Sequence, residues 1–243
     1  MYWKDIIMIC HVDDLGIRVP QKEIVDKLIK SLKDKGFALT LEGTFAKYLG
    51  IQYKQLSYDS ISMTQTGLIQ KIIDTAGMSE CNPNKMPTTK ECLGSDPEGK
   101  PMDDSWNYHS IVGMMLYLST NSLPDILFAV SQVEQFSHSP KQSHIFVVKT
   151  IIRYLSGTKK QGTIFKLPQN ITLDCYVDTD FAGLYGREPD KDPISIKSYT
   201  RYILSVGRCF LVCKSQLQST IALSINEAEY RALSQAMGVV IPV

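Results

Sequence analysis

The run Ile7-Met8-Ile9-Cys10-His11-Val12-Asp13-Asp14-Leu15-Gly16-Ile17 sets two adjacent carboxylates inside an otherwise apolar segment. Its flanks read as two short strands, which puts Asp13 and Asp14 at a hairpin tip. Strands disfavour Asp and like charges repel, so this tip is costly unless something neutralises it. A divalent cation would do so: Mg²⁺ takes closely spaced carboxylate oxygens, and a pair of such ions can clamp the attacking and leaving oxygens of a phosphoryl transfer. Plain turn chemistry, in which Asp favours a reverse turn through its own side chain, is the competing reading.

A second group of acids lies near the other end of the chain. Thr172-Leu173-Asp174-Cys175-Tyr176-Val177-Asp178-Thr179-Asp180-Phe181-Ala182-Gly183 reads as an alternating strand that carries Asp178 and Asp180. Two more strand-like runs follow, Thr200–Val206 and Cys209–Cys213. The segment from Ala222 to Leu233 then reads as a helix that Ser224 or Asn226 can cap, with Glu227 in its first turn.

Between the two groups the chain alternates element types. Lys22 to Leu32 has apolar residues at 24, 25, 28, 29 and 32, a helical spacing closed by Gly36. Phe45 to Gln55 and Ser60 to Thr64 read as the two arms of a hairpin, and Gly67 to Gly77 as a short amphipathic helix. Residues 81–104 hold Pro83, Pro87, Pro97 and Pro101 and read as a linker. Three helices are predicted after it, Trp106–Thr120, Pro124–Phe136 with Pro in the first turn, and Pro140–Ser156. The fold class is α+β.

A length of 243 residues with 44% hydrophobic and 21% charged residues suits a globular chain of one or two compact units. A net charge of +1 excludes a globally basic nucleic-acid binder. Local charge is less even. No acid occurs from Gln135 to Leu173, where Lys141, Lys149, Arg153, Lys159, Lys160 and Lys166 stand, nor from Pro193 to Asn226, where Lys197, Arg201, Arg208 and Lys214 stand. Such runs suit a phosphate backbone, or a solvated helix face and a basic loop. The six cysteines form no CxxC pair and no zinc spacing with His; Cys209 and Cys213 read as buried thiols. His11 neighbours the aspartates, whereas His109, His138 and His144 are expected at the surface or as caps. Neither a signal peptide nor a membrane-spanning apolar run is present, so an intracellular setting and no membrane partner are expected.

Taken in order, these segments resemble the copia-type retrotransposon polyprotein, from the end of the polymerase palm into ribonuclease H. The resemblance rests on His11-Val12-Asp13-Asp14-Leu15, Tyr48-Leu49-Gly50-Ile51-Gln52, Tyr108 to Leu118, Pro124 to Val130, Arg153 to Thr158, Asp178 to Gly183 and Glu227 to Leu233, which together span nearly the whole chain. It implies a palm end and thumb start over 1–80, a linker over 81–104, a helical thumb or connection region over 105–160 and a truncated ribonuclease H-like mixed sheet with one helix over 163–243. By resemblance Asp13, Asp14, Asp178 and Glu227 are catalytic and hold Mg²⁺, with the two ribonuclease H carboxylates facing each other across a metal ion. Leu49, Gly50 and Ile51 match the hairpin that grips the primer end. Lys149, Arg153, Lys159 and Lys160 would meet an RNA–DNA hybrid or primer–template duplex. A cytoplasmic particle or the nucleus is the implied location.

The chain also departs from the resemblance. His11 stands where Tyr is usual, which tells against polymerisation. Arg201 replaces a usual Gly, Cys213 a usual Trp and Leu123 a usual Arg. The resembling enzyme needs another aspartate on an earlier palm strand and two further ribonuclease H acids on later elements. The chain starts twelve residues before Asp13 and stops at Val243, so both active sites are expected to be halves, with the remaining polyprotein upstream and downstream. The expected function is therefore that of an RNA-directed DNA polymerase/ribonuclease H fragment, inactive by itself. A non-catalytic nucleic-acid-binding remnant or a decayed pseudogene product is the alternative.

Overall fold

In a computed structural model of the chain, residues 2–3, 6–41, 43, 45–88, 93–102, 106–166, 171–185, 195–207 and 209–242 are described. They form a mixed α/β structure with six helices and small antiparallel sheets. Two units separate at Lys54/Gln55.

In the first unit β1 (Tyr2–Trp3), β2 (Ile6–His11) and β3 (Asp14–Arg18) form an antiparallel sheet in that order. The pairing of His11 with Asp14 leaves Val12 and Asp13 as a two-residue loop. Helix α1 (Lys22–Asp34) follows the predicted periodicity and gives way to Gly36 at φ +89°. Its apolar residues are only half-buried, as expected where so short a unit has little surface to cover them. The segment from Phe45 to Gln55 is not one strand. It reverses at Leu49-Gly50 between β4 (Lys47–Tyr48) and β5 (Ile51–Ser57), with Tyr48 opposite Ile51. Leu49 and Gly50 have φ +50° and +75°, the left-handed pair that a tight twisted hairpin requires and that favours Gly. Phe45 packs its ring 5.4 Å from that of Tyr48 and 5.0 Å from that of Tyr53. It also explains Gly16, where an added Cβ would lie 2.8 Å from the Phe45 ring.

The second unit holds β6 (Ser60–Thr64), α2 (Thr66–Thr75), α3 (Tyr108–Asn121), a 3₁₀ turn over Pro124–Ile126, α4 (Leu127–Glu134) and α5 (Gln142–Gly157). After these come β7 (Gly162–Lys166), β8 (Leu173–Asp180), β9 (Tyr199–Val206), β10 (Cys209–Leu217) and α6 (Ile225–Val240). Helices α2 to α5 share one apolar core, in which Ile72, Ile111, Met115, Leu118, Val130, Val148, Ile151 and Leu155 are fully or almost fully buried. Two polar pairs close it: the Tyr108 hydroxyl donates to the Val133 carbonyl at 2.7 Å, and Ser122 donates to the Gln65 side-chain oxygen at 2.8 Å.

The predicted linker is fastened wherever it is described. Leu93 N–H donates to Gln132, Met102 N–H to the Pro140 carbonyl, and the Arg153 side chain to the Asn82 carbonyl. His144 caps α5 as expected, but from the interior rather than the surface. Its Nδ1 accepts from Lys141 N–H at 3.0 Å, its Nε2 bonds the Gly94 carbonyl at 2.9 Å, and its ring stacks on Phe136 at 4.4 Å. A carbonyl can only accept, so the ring carries its proton on Nε2.

Thr163 was expected to open the last region, yet β7 pairs in register with β6, from Ser60 opposite Lys166 to Thr64 opposite Gly162. The last sheet has the order β10-β9-β8, all antiparallel. Helix α6 lies on it through Ala228, Ala232 and Ala236, buried residues small enough for close approach. Cys209 and Cys213 are buried as predicted, and burial pushes the Cys213 thiol up to about 11. The stretch with Pro189 and Pro193, read as a loop, lies outside the described residues.

Two substitutions on α5 test this arrangement. Ile151→Ala, fully buried, should cost about 2–5 kcal/mol in urea unfolding, by lost transfer energy plus a cavity. Phe146→Ala, at a side chain 63% exposed on the same helix, should stay within about 0.5 kcal/mol.

Candidate functional site

Three groups of predicted residues can be placed. In the first unit Asp13 occupies the β2–β3 turn and Asp14 opens β3, both exposed. Val12 precedes them at φ +50°, a left-handed conformation that a β-branched side chain strongly disfavours. The turn therefore holds strain next to its two carboxylates. Leu49 and Gly50 belong to the same unit, next to Tyr48. Its phenol is raised above the ordinary range, first by burial and then by the nearby Asp14 carboxylate. Exposed, adjacent oxygen donors of this kind can hold a Mg²⁺ that keeps most of its water. No third His, Cys, Asp or Glu converges with such a pair anywhere among the described residues.

In the second unit the core face of α5 is set by Val148, Ile151, Ile152 and Leu155. Helical spacing then forces Phe146, Lys149 and Arg153 outward, and Lys160 follows just beyond the helix, all exposed. Lys149 leans over the Trp106 ring at 5.8 Å, Arg153 donates to the Asn82 carbonyl at 2.7 Å, and Lys159 donates to Gln70 at 3.1 Å. No acid among the described residues forms an ion pair with any of the four cations. The predicted basic residues thus form a ridge with one exposed aromatic, held in place by neutral partners.

The third group is on the last sheet. Asp178 pairs across the strands with Arg201, and Asp180 lies on the same face one pleat along. That face turns toward α4. Arg201 sits over the Phe128 ring, Ser131 bonds Ser215, and Gln135 bonds the Tyr199 hydroxyl. The other face meets α6, where Gln218 donates both to Thr200 and to the Ala228 carbonyl. Asp178 therefore lies on the α4 side, while Glu227 rides on the helix covering the opposite side.

The facing pair of carboxylates expected from the sequence is not what the register brings together. Each acid has its own arginine instead. Arg201 stands 3.8 Å from Asp178 and 3.2 Å from Asp180, and Arg231 bonds Glu227. Ser224 caps α6 by accepting from Glu227 N–H at 3.2 Å, and Glu227 reaches back to accept from Leu223 N–H at 2.8 Å. This is the reciprocal arrangement of a capping box, shifted by one residue. That backbone bond first, and Arg231 second, hold the Glu227 carboxyl below its usual range. A divalent ion at Asp178 and Glu227 does not fit these partners.

The sequence placed Arg201 in a basic run and marked it as a departure, but did not show its pairing with Asp178 and Asp180. The available signal was a cation in an otherwise apolar strand that can pair with the acid-bearing strand.

Comparison with known proteins gives the relatives of the chain. The chain is 28% identical over 229 residues to the retrovirus-related Pol polyprotein from transposon RE1 of Arabidopsis thaliana, covering 94% of this chain but 15% of that polyprotein. It is 29% identical over 237 residues to the corresponding polyprotein from transposon TNT 1-94 of Nicotiana tabacum, covering 95% of this chain and 17% of the relative. It is also 28% identical to the uncharacterized mitochondrial protein AtMg00810 of Arabidopsis thaliana, over 93% of this chain and 90% of that protein. The chain is homologous to the retrovirus-related Pol polyproteins of copia-type transposons and corresponds to a piece of one. No family model and no solved structure matches it. No helix among the described residues is long and apolar enough to cross a membrane.

The capping role of Glu227 has a pH signature. Its carboxyl is lower in the folded than in the unfolded chain, so its contribution is complete above the unfolded value of about 4.3 and is lost as pH falls through the lower folded value. Glu227→Gln should lower the melting temperature at neutral pH and lose less than the parent between neutral and acid pH. Melting curves across that range check it.

Proposed function

We propose that the chain is the part of a copia-type reverse transcriptase/ribonuclease H that runs from the end of the polymerase palm, through thumb and connection helices, into a ribonuclease H-like sheet. By itself it binds RNA–DNA hybrid or primer–template duplex inside the cell and does not cut it. Asp13 and Asp14 are the palm carboxylates that would hold Mg²⁺ when the rest of a palm is present, and Leu49-Gly50-Ile51 is the primer-side turn beside them.

The observation that carries the binding role is the α5 ridge. Lys149, Arg153 and Lys160 are exposed and Lys159 is half-buried, and no acid pairs with any of them among the described residues. Cations without acidic partners remain available to phosphates and release counterions on binding. The arginines facing Asp178 and Glu227 support the absence of cleavage.

Fluorescence anisotropy with a labelled hybrid tests the reading. Affinity should fall steeply with salt. Replacing Lys149, Arg153, Lys159 and Lys160 with Gln should weaken binding at every sequence alike, and each lost phosphate contact should reduce the slope of log K against log salt by about 0.9. An unchanged slope in the fourfold variant, with its circular dichroism intact, removes the ridge from the interface.

A further inference from the structure

The acids of β8 already hold a cation. Arg201 lies directly opposite Asp178 in the β8–β9 register, and Asp180 shares their face. One terminal nitrogen of Arg201 is 3.8 Å from the Asp178 carboxylate, and the other donates to Asp180 at 3.2 Å. The guanidinium is also held by aromatic faces, 4.7 Å from the Phe128 ring centre and 5.7 Å from that of Tyr199. A planar cation hydrogen-bonded to Asp180, facing Asp178 and packed on two rings is restrained from moving aside.

This placement conflicts with metal binding at the same oxygens. An ion such as Mg²⁺ binds carboxylate oxygens at about 2.1 Å. Bonded to the Asp178 or Asp180 oxygens that Arg201 approaches, it would lie within a few ångströms of the positively charged guanidinium. It would also have to strip Arg201 of both its acidic partners. The third acid that such a site requires is elsewhere, since Glu227 is bound by Arg231 and by Leu223 N–H over the other face of the sheet.

We propose that Arg201 is the resident cation of the Asp178–Asp180 pair, so that this part of the sheet is a metal-independent clamp joining β8, β9 and α4. The clamp goes beyond the duplex-binding reading, and its test does not depend on duplex binding.

The experiment is Mn²⁺ titration of the full ¹⁵N-labelled chain, read as paramagnetic broadening of backbone amide signals. In the unaltered chain the amides of Asp178 to Asp180 should keep their intensity. In Arg201→Gln, which keeps the side chain's length but not its charge, they should broaden at roughly tenfold lower Mn²⁺ or less, because a like charge about 4 Å away has been removed. Arg201→Lys, which keeps the charge, should behave as the parent and shows that broadening follows charge rather than disturbance of the strand. Selective broadening at Asp178 to Asp180 in the unaltered chain at the Mn²⁺ level that broadens them in Arg201→Gln overturns the proposal. So does Arg201→Gln that folds and gains no broadening. Should Arg201→Gln not fold, the parent titration decides alone: loss of the Asp178 to Asp180 signals ahead of those of Tyr199 to Val206 contradicts the clamp, and retention supports it.

Discussion

Burial of one side of α5 is the constraint on which the second unit depends. Val148, Ile151, Ile152 and Leu155 close the core shared with α2, α3 and α4. Once they point inward, the helical repeat leaves no choice about what points outward, and Lys149 and Arg153 become a solvent ridge. The same burial orders the segments around the helix. His144 spends both ring nitrogens on the chain before α5, one through Lys141 N–H and the other through the Gly94 carbonyl. Arg153 gives its Nε–H to Asn82, which fastens the preceding segment while its charge stays at the surface. Core packing and the presented charge are two faces of one periodicity.

Much of this was legible in the sequence, and what was not has definite causes. The Lys22–Leu32 spacing located α1, and the three helices after residue 105 lie within a few residues of their expected ends. Those signals are local, carried by spacing and by breakers such as Pro124 and Gly36. Strand partners are not local. Nothing in Gly162–Lys166 says that it pairs with Ser60–Thr64, because alternation reports which side chains share a face and not which strand lies alongside. The apolar pattern of Phe45–Gln55 did not show the reversal at Leu49-Gly50, which only the resemblance to a primer-side hairpin pointed to. The capping role of His144 was expected, but its burial was not, because a histidine among helix residues carries no sign of the buried carbonyl it will meet.

The acids show the same division. Asp13 and Asp14 were placed correctly on a tight hairpin, since two charged residues between apolar runs leave few other conformations. The geometry at Asp178 was not foreseen, because it depends on Arg201 lying one strand away and on Phe128 from a helix far earlier in the chain. Glu227 sits in the predicted turn, yet its hydrogen bonds are those of a helix cap. A resemblance identifies residue types in order, whereas the partners of each residue decide what its charge is used for.

Electrostatics then links the ridge and the acids. Uncompensated carboxylates repel a phosphate backbone, and in metal-dependent nucleases the bound ions reverse that field. Here Arg201 offsets Asp178 and Asp180, and Arg231 offsets Glu227. A surface neutralised in this way can accept a polyanion without first loading a metal. On the proposed reading, phosphates meet the acid-free α5 ridge while Arg201 and Arg231 offset the acids of the last sheet and its helix. The cation each carboxylate keeps then decides how much of its charge a polyanion would feel.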